Sequence, residues 1–142
     1  MSQPLEPALF DRLFAAAEAA RENAYAPYSG FRVGAAVLTP DGRIFAGANI
    51  ENAAYPQGQC AEASAIGAMG TAGARRIVAA VVIGGEEGDG MLCTPCGGCR
   101  QRLREFAAPD TRVHICGPEG LRRIMTVEEL LPASFGPENL DA

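Results

Sequence analysis

RRIVAAVVIG, residues 75–84, is a near-continuous apolar run that ends in a glycine. A strand covered by helices on both faces of a sheet has this pattern, whereas a strand with one solvated face alternates apolar and polar residues. The run therefore predicts the central strand of a layered domain.

Helical and extended patterns alternate on both sides of this strand. Helices are predicted where apolar residues recur at helical spacing, and strands where branched residues are bounded by turn residues. The predicted elements are a helix over 5–22, strands over 31–38 and 43–50, a helix over 59–71, the central strand, a helix over 95–107, a strand over 112–116 and a short helix over 126–131. This order predicts an α/β fold in which residues 1–142 form one three-layer α/β/α domain around a mixed sheet of about five strands.

The first two strands are separated by Thr39-Pro40-Asp41-Gly42, which predicts an antiparallel hairpin. Gly34 and Gly47 lie inside these strands. A glycine in a strand indicates either the close approach of another backbone or a ligand, or a bulge, and the pattern leaves both open.

Charge and cysteine content restrict the class of protein. The chain carries 12 basic and 17 acidic residues, for a net charge of -5. Proteins that follow a phosphate backbone rely on clustered Lys and Arg, so this balance argues against a nucleic-acid binder and suits a small uncharged substrate.

No apolar run reaches the length that crosses a bilayer. Five cysteines, an odd number, and an N-terminus without a basic segment or an apolar run predict reduced thiols in a cytoplasmic protein.

Two short segments carry three thiols and one carboxylate, namely Gln59-Cys60-Ala61-Glu62 and Thr94-Pro95-Cys96-Gly97-Gly98-Cys99. Soft thiolates suit Zn²⁺, and three protein ligands leave the fourth tetrahedral position for water, as in a catalytic site. Zinc deaminases carry H-x-E followed by P-C-x-x-C, with an all-cysteine variant that these segments satisfy. The sequence thus predicts one zinc ion per chain.

Other metal sites stay open on spacing alone. Cys93 would complete a closed four-thiolate structural site, and His114 could supply a nitrogen ligand instead. A helix with Thr94 as its N-cap and Pro95 as its first residue would place Cys93 before the cap, away from the other thiols. That helix start favours the three-thiolate site.

Asn49 and Glu51 end the second strand on one face, because residues two apart in a strand point the same way. An amide donor beside a carboxylate acceptor suits a sugar diol, and the same pair also suits the capping of a turn. The residues alone do not separate these two roles.

Over residues 24–136 the chain resembles the cytidine deaminase family, in its small homotetrameric branch. Five segments carry the resemblance in the family's order: PYSGFRVGAA at 27–36, NIENAAY at 49–55, CAE at 60–62, PCGGCRQ at 95–101 and LLPASF at 130–135. The resemblance implies zinc ligands Cys60, Cys96 and Cys99 and a proton-shuttling Glu62.

The same resemblance implies the substrate contacts and the assembly. It implies that Asn49 and Glu51 bind ribose, that Phe31 stacks on the base, and that Ala61 also contacts the substrate. Phe135 resembles the phenylalanine that reaches a neighbouring subunit's site in this family, which implies a homotetramer with shared active sites.

One position departs from the family pattern. The family often has an arginine directly after the glutamate, where it balances the three thiolates, and this chain has Ala63. The groups that could balance the charge instead are the amides of the two helix N-termini, the Gln59 side chain and Arg100.

The expected reaction is the hydrolytic deamination of cytidine and deoxycytidine. Hydroxide held by zinc attacks C4 of cytosine, and Glu62 moves protons to N3 and to the leaving amine, which gives uridine and ammonia. Two alternatives remain. One is a deaminase of another aminated pyrimidine or nucleoside antibiotic, and the other is a zinc-stabilised binding module without turnover.

Overall fold

One five-stranded sheet runs through the protein, and the computed structural model describes residues 4–140. Residues 1–3, on which the predicted lack of a signal segment partly rests, and residues 141–142 lie outside the described residues. The elements are α1 Pro7–Glu22, β1 Gly34–Leu38, β2 Ile44–Ala48, α2 Ala61–Thr71, β3 Ile77–Ile83, α3 Gly97–Phe106, β4 Ala107–Gly117, β5 Gly120–Thr126 and α4 Val127–Leu130, with short 3₁₀ turns at Tyr55–Gln57 and Pro137–Leu140.

The predicted central strand is confirmed, because β3 lies in the middle of the order β2-β1-β3-β4-β5. β3 pairs antiparallel with β1 and parallel with β4, so the sheet is mixed. β1 and β2 form the predicted antiparallel hairpin. Six of the seven β3 side chains are buried, as its apolar run requires.

Helices cover both faces of the sheet, which confirms the three-layer α/β/α architecture. On one face, Leu13 and Ala17 of α1 pack with Val81 of β3. On the other face, Met69 of α2 and Leu103 of α3 join the core beneath the sheet. Because α2 and α3 share this face, their N-termini can meet at one point.

None of the helices within residues 4–140 is long and apolar enough to span a bilayer.

The two strand glycines mark close approaches of helix backbones. A Cβ at Gly34 would overlap the Ala17 carbonyl of α1, and a Cβ at Gly47 would lie 2.5 Å from the Ala65 nitrogen of α2. Of the alternatives that the sequence left open, the structure shows the close backbone approach. Gly47 therefore sets how near α2 lies to the sheet.

Two predictions about elements were wrong. The strand β5 was not assigned from the sequence, because its arginines interrupt the apolar alternation; it pairs antiparallel with β4. The third helix begins at Gly97 with Cys96 as its N-cap, so Thr94 is not the cap and Pro95 is not the first helical residue. The predicted capping box of α4 is present, with Thr126 and Glu129 each bonding to the other's backbone.

Candidate active site

Three thiols meet where α2 and α3 begin. Cys60 is the N-cap of α2, Cys96 is the N-cap of α3, and Cys99 lies in the first turn of α3. Their sulfur atoms all lie within 4.8 Å of one another, and the Sγ atoms of Cys60 and Cys96 are 3.8 Å apart. Sulfurs on one tetrahedral zinc, each about 2.3 Å from the metal, lie about 3.8 Å apart. The donor atoms and their spacing fit one zinc ion.

The two helix N-termini affect these thiols differently. The backbone amides of Cys99 and Gly98 point at the Cys96 sulfur and lower the pKa of its thiol. Burial raises the pKa of Cys60, and the Cys96 thiol beside it adds to that rise. Burial also raises the pKa of Cys99. Ligation converts all three to thiolates, so metal binding releases protons from Cys60 and Cys99 in particular.

Glu62 lies in the first turn of α2, two residues after the first thiol, and its side chain is only 6% exposed. Burial raises the pKa of the Glu62 carboxyl above its ordinary value, against smaller downward effects from its own backbone amide, from Cys99 and from Arg102. A carboxyl with a raised pKa keeps its proton to a higher pH than usual, which suits a group that takes up a proton and releases it again. The site therefore has an acid-base group two residues after one of its three thiols.

Cys93 lies outside the thiol group among the described residues. Its side chain packs against Gly84, where it fills the space that a Cβ would occupy. Burial raises the pKa of the Cys93 thiol to about 11, and the charge of Glu62 adds to that rise. His114 is buried in β4, where its Nδ1 lies 3.1 Å from the Ala80 carbonyl oxygen. The structure thus places both alternative ligands in packing roles.

Phe31 packs at the C-terminal end of β3. The tip of its ring, Cζ, lies 3.5 Å from the position that a Cβ on Gly84 would take. The ring is 39% exposed. Arg21 of α1 fixes this arrangement, because its Nε donates to the Arg32 carbonyl at 3.0 Å and its Nη2 donates to the Gly85 carbonyl at 2.7 Å. The guanidinium of Arg21 therefore joins the segment around Phe31 (the Phe31 segment, residues 28–33) to the end of the central strand.

Asn49 and Glu51 both bond to the backbone of the Phe31 segment. The Asn49 amide donates to the Phe31 carbonyl at 2.8 Å and accepts from the Val33 nitrogen at 2.9 Å. The Glu51 carboxylate accepts from the Tyr28 nitrogen, the Ser29 nitrogen and the Ser29 hydroxyl. These bonds are the turn capping that the sequence left open. Because an amide has two N–H groups and a carboxylate about four acceptor sites, each side chain keeps capacity for one more bond.

Ala61 and Phe135 are the two remaining predicted site residues. Ala61 is buried between Cys60 and Glu62 at the start of α2. The Phe135 ring is 56% exposed, and its carbonyl accepts from the Gln101 side chain at 2.8 Å. This bond fastens the C-terminal segment to α3, the helix that carries two of the thiols.

Two arginines organise the site without any sequence signal of their own. The sequence places Arg21 only within the helix predicted over 5–22. Arg122 of β5 donates to the Asp89 carboxylate and to the carbonyls of Glu86 and Met91, and so fixes the loop that leads from β3 to the second half of the motif. The carbonyl partners of Arg21 lie more than 10 positions away in the chain, and the loop partners of Arg122 lie more than 30 positions away, so no local pattern could have identified these contacts. The local ion pair of Arg122 with Glu119, three residues before it, gives no sign of the loop.

Comparison with known proteins agrees with this geometry. Residues 10–115 match the model of a family described as the cytidine and deoxycytidylate deaminase zinc-binding region. A cytidine deaminase of Halalkalibacterium halodurans is 43% identical over 122 residues, which cover 86% of this chain and 90% of that protein. A cytidine deaminase of Mycobacterium tuberculosis is 38% identical over 122 residues, which cover 85% of each protein.

A crystal structure of cytidine deaminase from Burkholderia pseudomallei superposes with a TM-score of 0.80 at 42% identity, covering 88% of this chain and 98% of that one. Residues 10–115, which match the family model, include both helix N-termini that bear the thiols. On its sequence, its fold and its three converging thiols, the chain belongs to the cytidine and deoxycytidylate deaminase zinc-binding family.

Proposed function

We propose that the protein is a zinc-dependent hydrolase that converts cytidine and 2'-deoxycytidine to uridine and 2'-deoxyuridine with release of ammonia. The observation that carries this proposal is the group of three thiols beside a buried carboxyl, Glu62, at two converging helix N-termini. A purely structural zinc site has four protein ligands and needs no acid-base residue. This geometry therefore favours turnover over a zinc-stabilised binding module.

Cys60, Cys96 and Cys99 would hold the metal. The metal supplies the Lewis acidity that makes water nucleophilic at neutral pH. Because three thiolates leave this centre with net negative charge, its Lewis acidity is weaker than that of a histidine site, and the reaction depends more strongly on a protein base.

Glu62 provides that base. Its carboxylate takes a proton from the attacking water and delivers it to N3 of cytosine as the new C–O bond forms at C4. The proton of the new C4 hydroxyl then goes to the exocyclic nitrogen, the C4–N bond breaks as the C4=O bond forms, and ammonia leaves. A raised pKa helps Glu62 to hold the proton between these steps.

Phe31, Asn49, Glu51 and Ala61 would bind the substrate. Phe31 offers an exposed face for stacking on the base, and the remaining N–H of Asn49 would bond to the sugar. The Ser29 hydroxyl holds the pKa of Glu51 below its ordinary value, so this side chain accepts a bond from a sugar hydroxyl and repels a phosphate. We therefore propose nucleosides as substrates in preference to nucleotides.

We further propose a homotetramer in which Phe135 enters the site of a neighbouring subunit. Its exposed ring and its backbone bond to α3 support this proposal, because an exposed aromatic on a fixed segment is a typical interface anchor. Phe135→Ala should raise KM for cytidine, and an active monomer with unchanged KM, measured by sedimentation and kinetics, would exclude the shared site.

The five cysteines are all free thiols, which suits a reducing compartment, so we propose that the protein is cytoplasmic. We also propose that residues 1–142 form one domain, since one sheet and its covering helices account for the described elements.

The direct test is turnover by zinc-loaded protein. Cytidine should lose its cytosine absorbance while one ammonia is released per uridine formed, deoxycytidine should behave alike, and deoxycytidine 5'-phosphate should react more slowly. A protein that binds zinc and leaves both nucleosides intact would be a binding module, and a protein that releases ammonia only from another aminated pyrimidine would belong to the second alternative.

A further inference from the structure

The thiol site concentrates negative charge. Three thiolates on a dication leave a net charge of about -1. Ala63 offers no cation. A nearby positive group would therefore stabilise the metal-loaded site, since opposite charges attract.

Two of the candidates suggested by the sequence are bonded elsewhere. Arg100 donates its Nε to the Pro95 carbonyl at 2.7 Å and its Nη1 to the Leu130 carbonyl at 2.7 Å. The Gln59 amide donates to the Ser64 hydroxyl at 3.1 Å. The N-termini of α2 and α3 add partial positive charge beside the thiols, but they supply no full cation.

The side chain of Arg102 reaches back along α3 toward the Cys96 thiol. It follows Gly98 by four residues in α3, and helical side chains tilt toward the N-terminus, so its guanidinium extends over Gly98. A Cβ built on Gly98 would lie 2.9 Å from the Arg102 Nη1 and 4.0 Å from the Cys96 Sγ. Nη1 is thus within about 7 Å of that sulfur, a separation at which charges interact measurably near a protein surface.

We propose that Arg102 is the cation that balances the thiolate-metal centre of this chain, and that Gly98 admits it because a side chain at that position would occupy the space of its guanidinium. This role makes Arg102 a positioning and charge-balancing residue that contacts neither substrate nor metal. The inference rests on the proposed zinc site.

The test measures zinc affinity rather than turnover, so that it stands apart from the proposed reaction. The zinc dissociation constant is measured by competition with a chromogenic chelator for native protein, Arg102→Gln and Arg102→Lys. Arg12→Gln is the matched control, because Arg12 is an exposed arginine on α1, across the sheet from the site. Arg102→Gln should weaken zinc binding by about threefold to tenfold, the effect of removing one charge about 7 Å away near a protein surface.

The other variants identify the effect as one of charge. Arg102→Lys should keep most of the affinity, and Arg12→Gln should match the native protein. The loss in Arg102→Gln should shrink at high salt, because Arg102 is exposed and its field is screened. The double variant Ala63→Arg with Arg102→Gln should recover affinity. In cobalt-substituted protein, Arg102→Gln should also shift the thiolate-to-metal charge-transfer absorption.

Gly98→Ala tests whether the absence of a side chain at position 98 makes room for the Arg102 guanidinium. Its methyl group should displace the guanidinium and weaken zinc binding, with little added loss when Arg102→Gln is combined with it. Native zinc affinity in Arg102→Gln would overturn the proposal. So would equal losses in Arg102→Gln and Arg102→Lys, since shape rather than charge would then be responsible.

Discussion

Gly47→Ala should destabilise the protein by displacing the helix that carries half of the zinc motif. The added Cβ would lie 2.5 Å from the Ala65 nitrogen and 2.6 Å from the Ser64 Cβ, both on α2. Comfortable contacts between such atoms are about 3.5 Å or more, so β2 and α2 would have to separate by about 1 Å. Neither obstacle is the flexible end of a side chain, so the shift must involve backbone.

Overpacking of a filled core costs about 1–3 kcal/mol, and an obstacle made of backbone should place Gly47→Ala near the upper end of that range. At about 3 °C of melting temperature per kcal/mol for a domain of this size, the expected decrease is about 10 °C. Because Cys60 and Glu62 begin α2, zinc affinity should fall with stability.

Urea unfolding at fixed protein and zinc concentrations measures the effect, since metal binding would otherwise shift the apparent stability. Gly67→Ala is the matched control. It lies in α2 with no atom within 4 Å of its added Cβ, and alanine should stabilise the helix by about 0.5–1 kcal/mol. If Gly47→Ala unfolds with the native midpoint, or if both variants lose stability equally, the close approach does not set the position of α2.

Three further results are expected. Cys93→Ser should keep one zinc per chain and native turnover, whereas Cys96→Ser should lose zinc and stability together; equal zinc loss in both would restore the closed four-thiolate site. Arg21→Leu should raise KM for cytidine, because the Phe31 segment loses its bond to the central strand, while zinc content stays native; unchanged KM would show that this contact does not position the ring. Zinc affinity should rise with pH through the neutral range, because burial raises the pKa of Cys99 and a protonated thiol must lose its proton to bind; a pH-independent zinc titration would contradict the ligand assignment.

The sequence was sufficient to predict the layered fold, because the apolar run at 75–84 and the helical patterns around it depend on burial that each segment expresses locally. It was also sufficient to place the three thiols together, since each half of the motif begins a helix and both helices cover one face. The strand β5 was missed because Arg122 and Arg123 break its alternation on an edge strand, where one face needs no apolar residues.

The helix start was missed for a different reason. Thr94 and Pro95 have strong local preferences for the first positions of a helix, but the Thr94 hydroxyl instead accepts a bond from Arg100 at 3.2 Å. The placements of Arg21 and Arg102 depend on side chains meeting in three dimensions, at a loop in one case and over a glycine in the other. The first meeting joins distant segments, which no local spacing predicts, whereas the second follows from the i,i+4 spacing of Gly98 and Arg102 on α3.

Glu62→Gln tests the central claim most directly, because glutamine keeps the size of the side chain and removes its ability to carry a proton. Zinc content and cytidine turnover are measured on the same preparation, with the native protein beside it. The variant should keep one zinc per chain and lose turnover by about 10² or more, the usual contribution of a positioned acid-base group. Near-native turnover in zinc-loaded Glu62→Gln would show that another group moves the protons, and the proposed mechanism would be wrong.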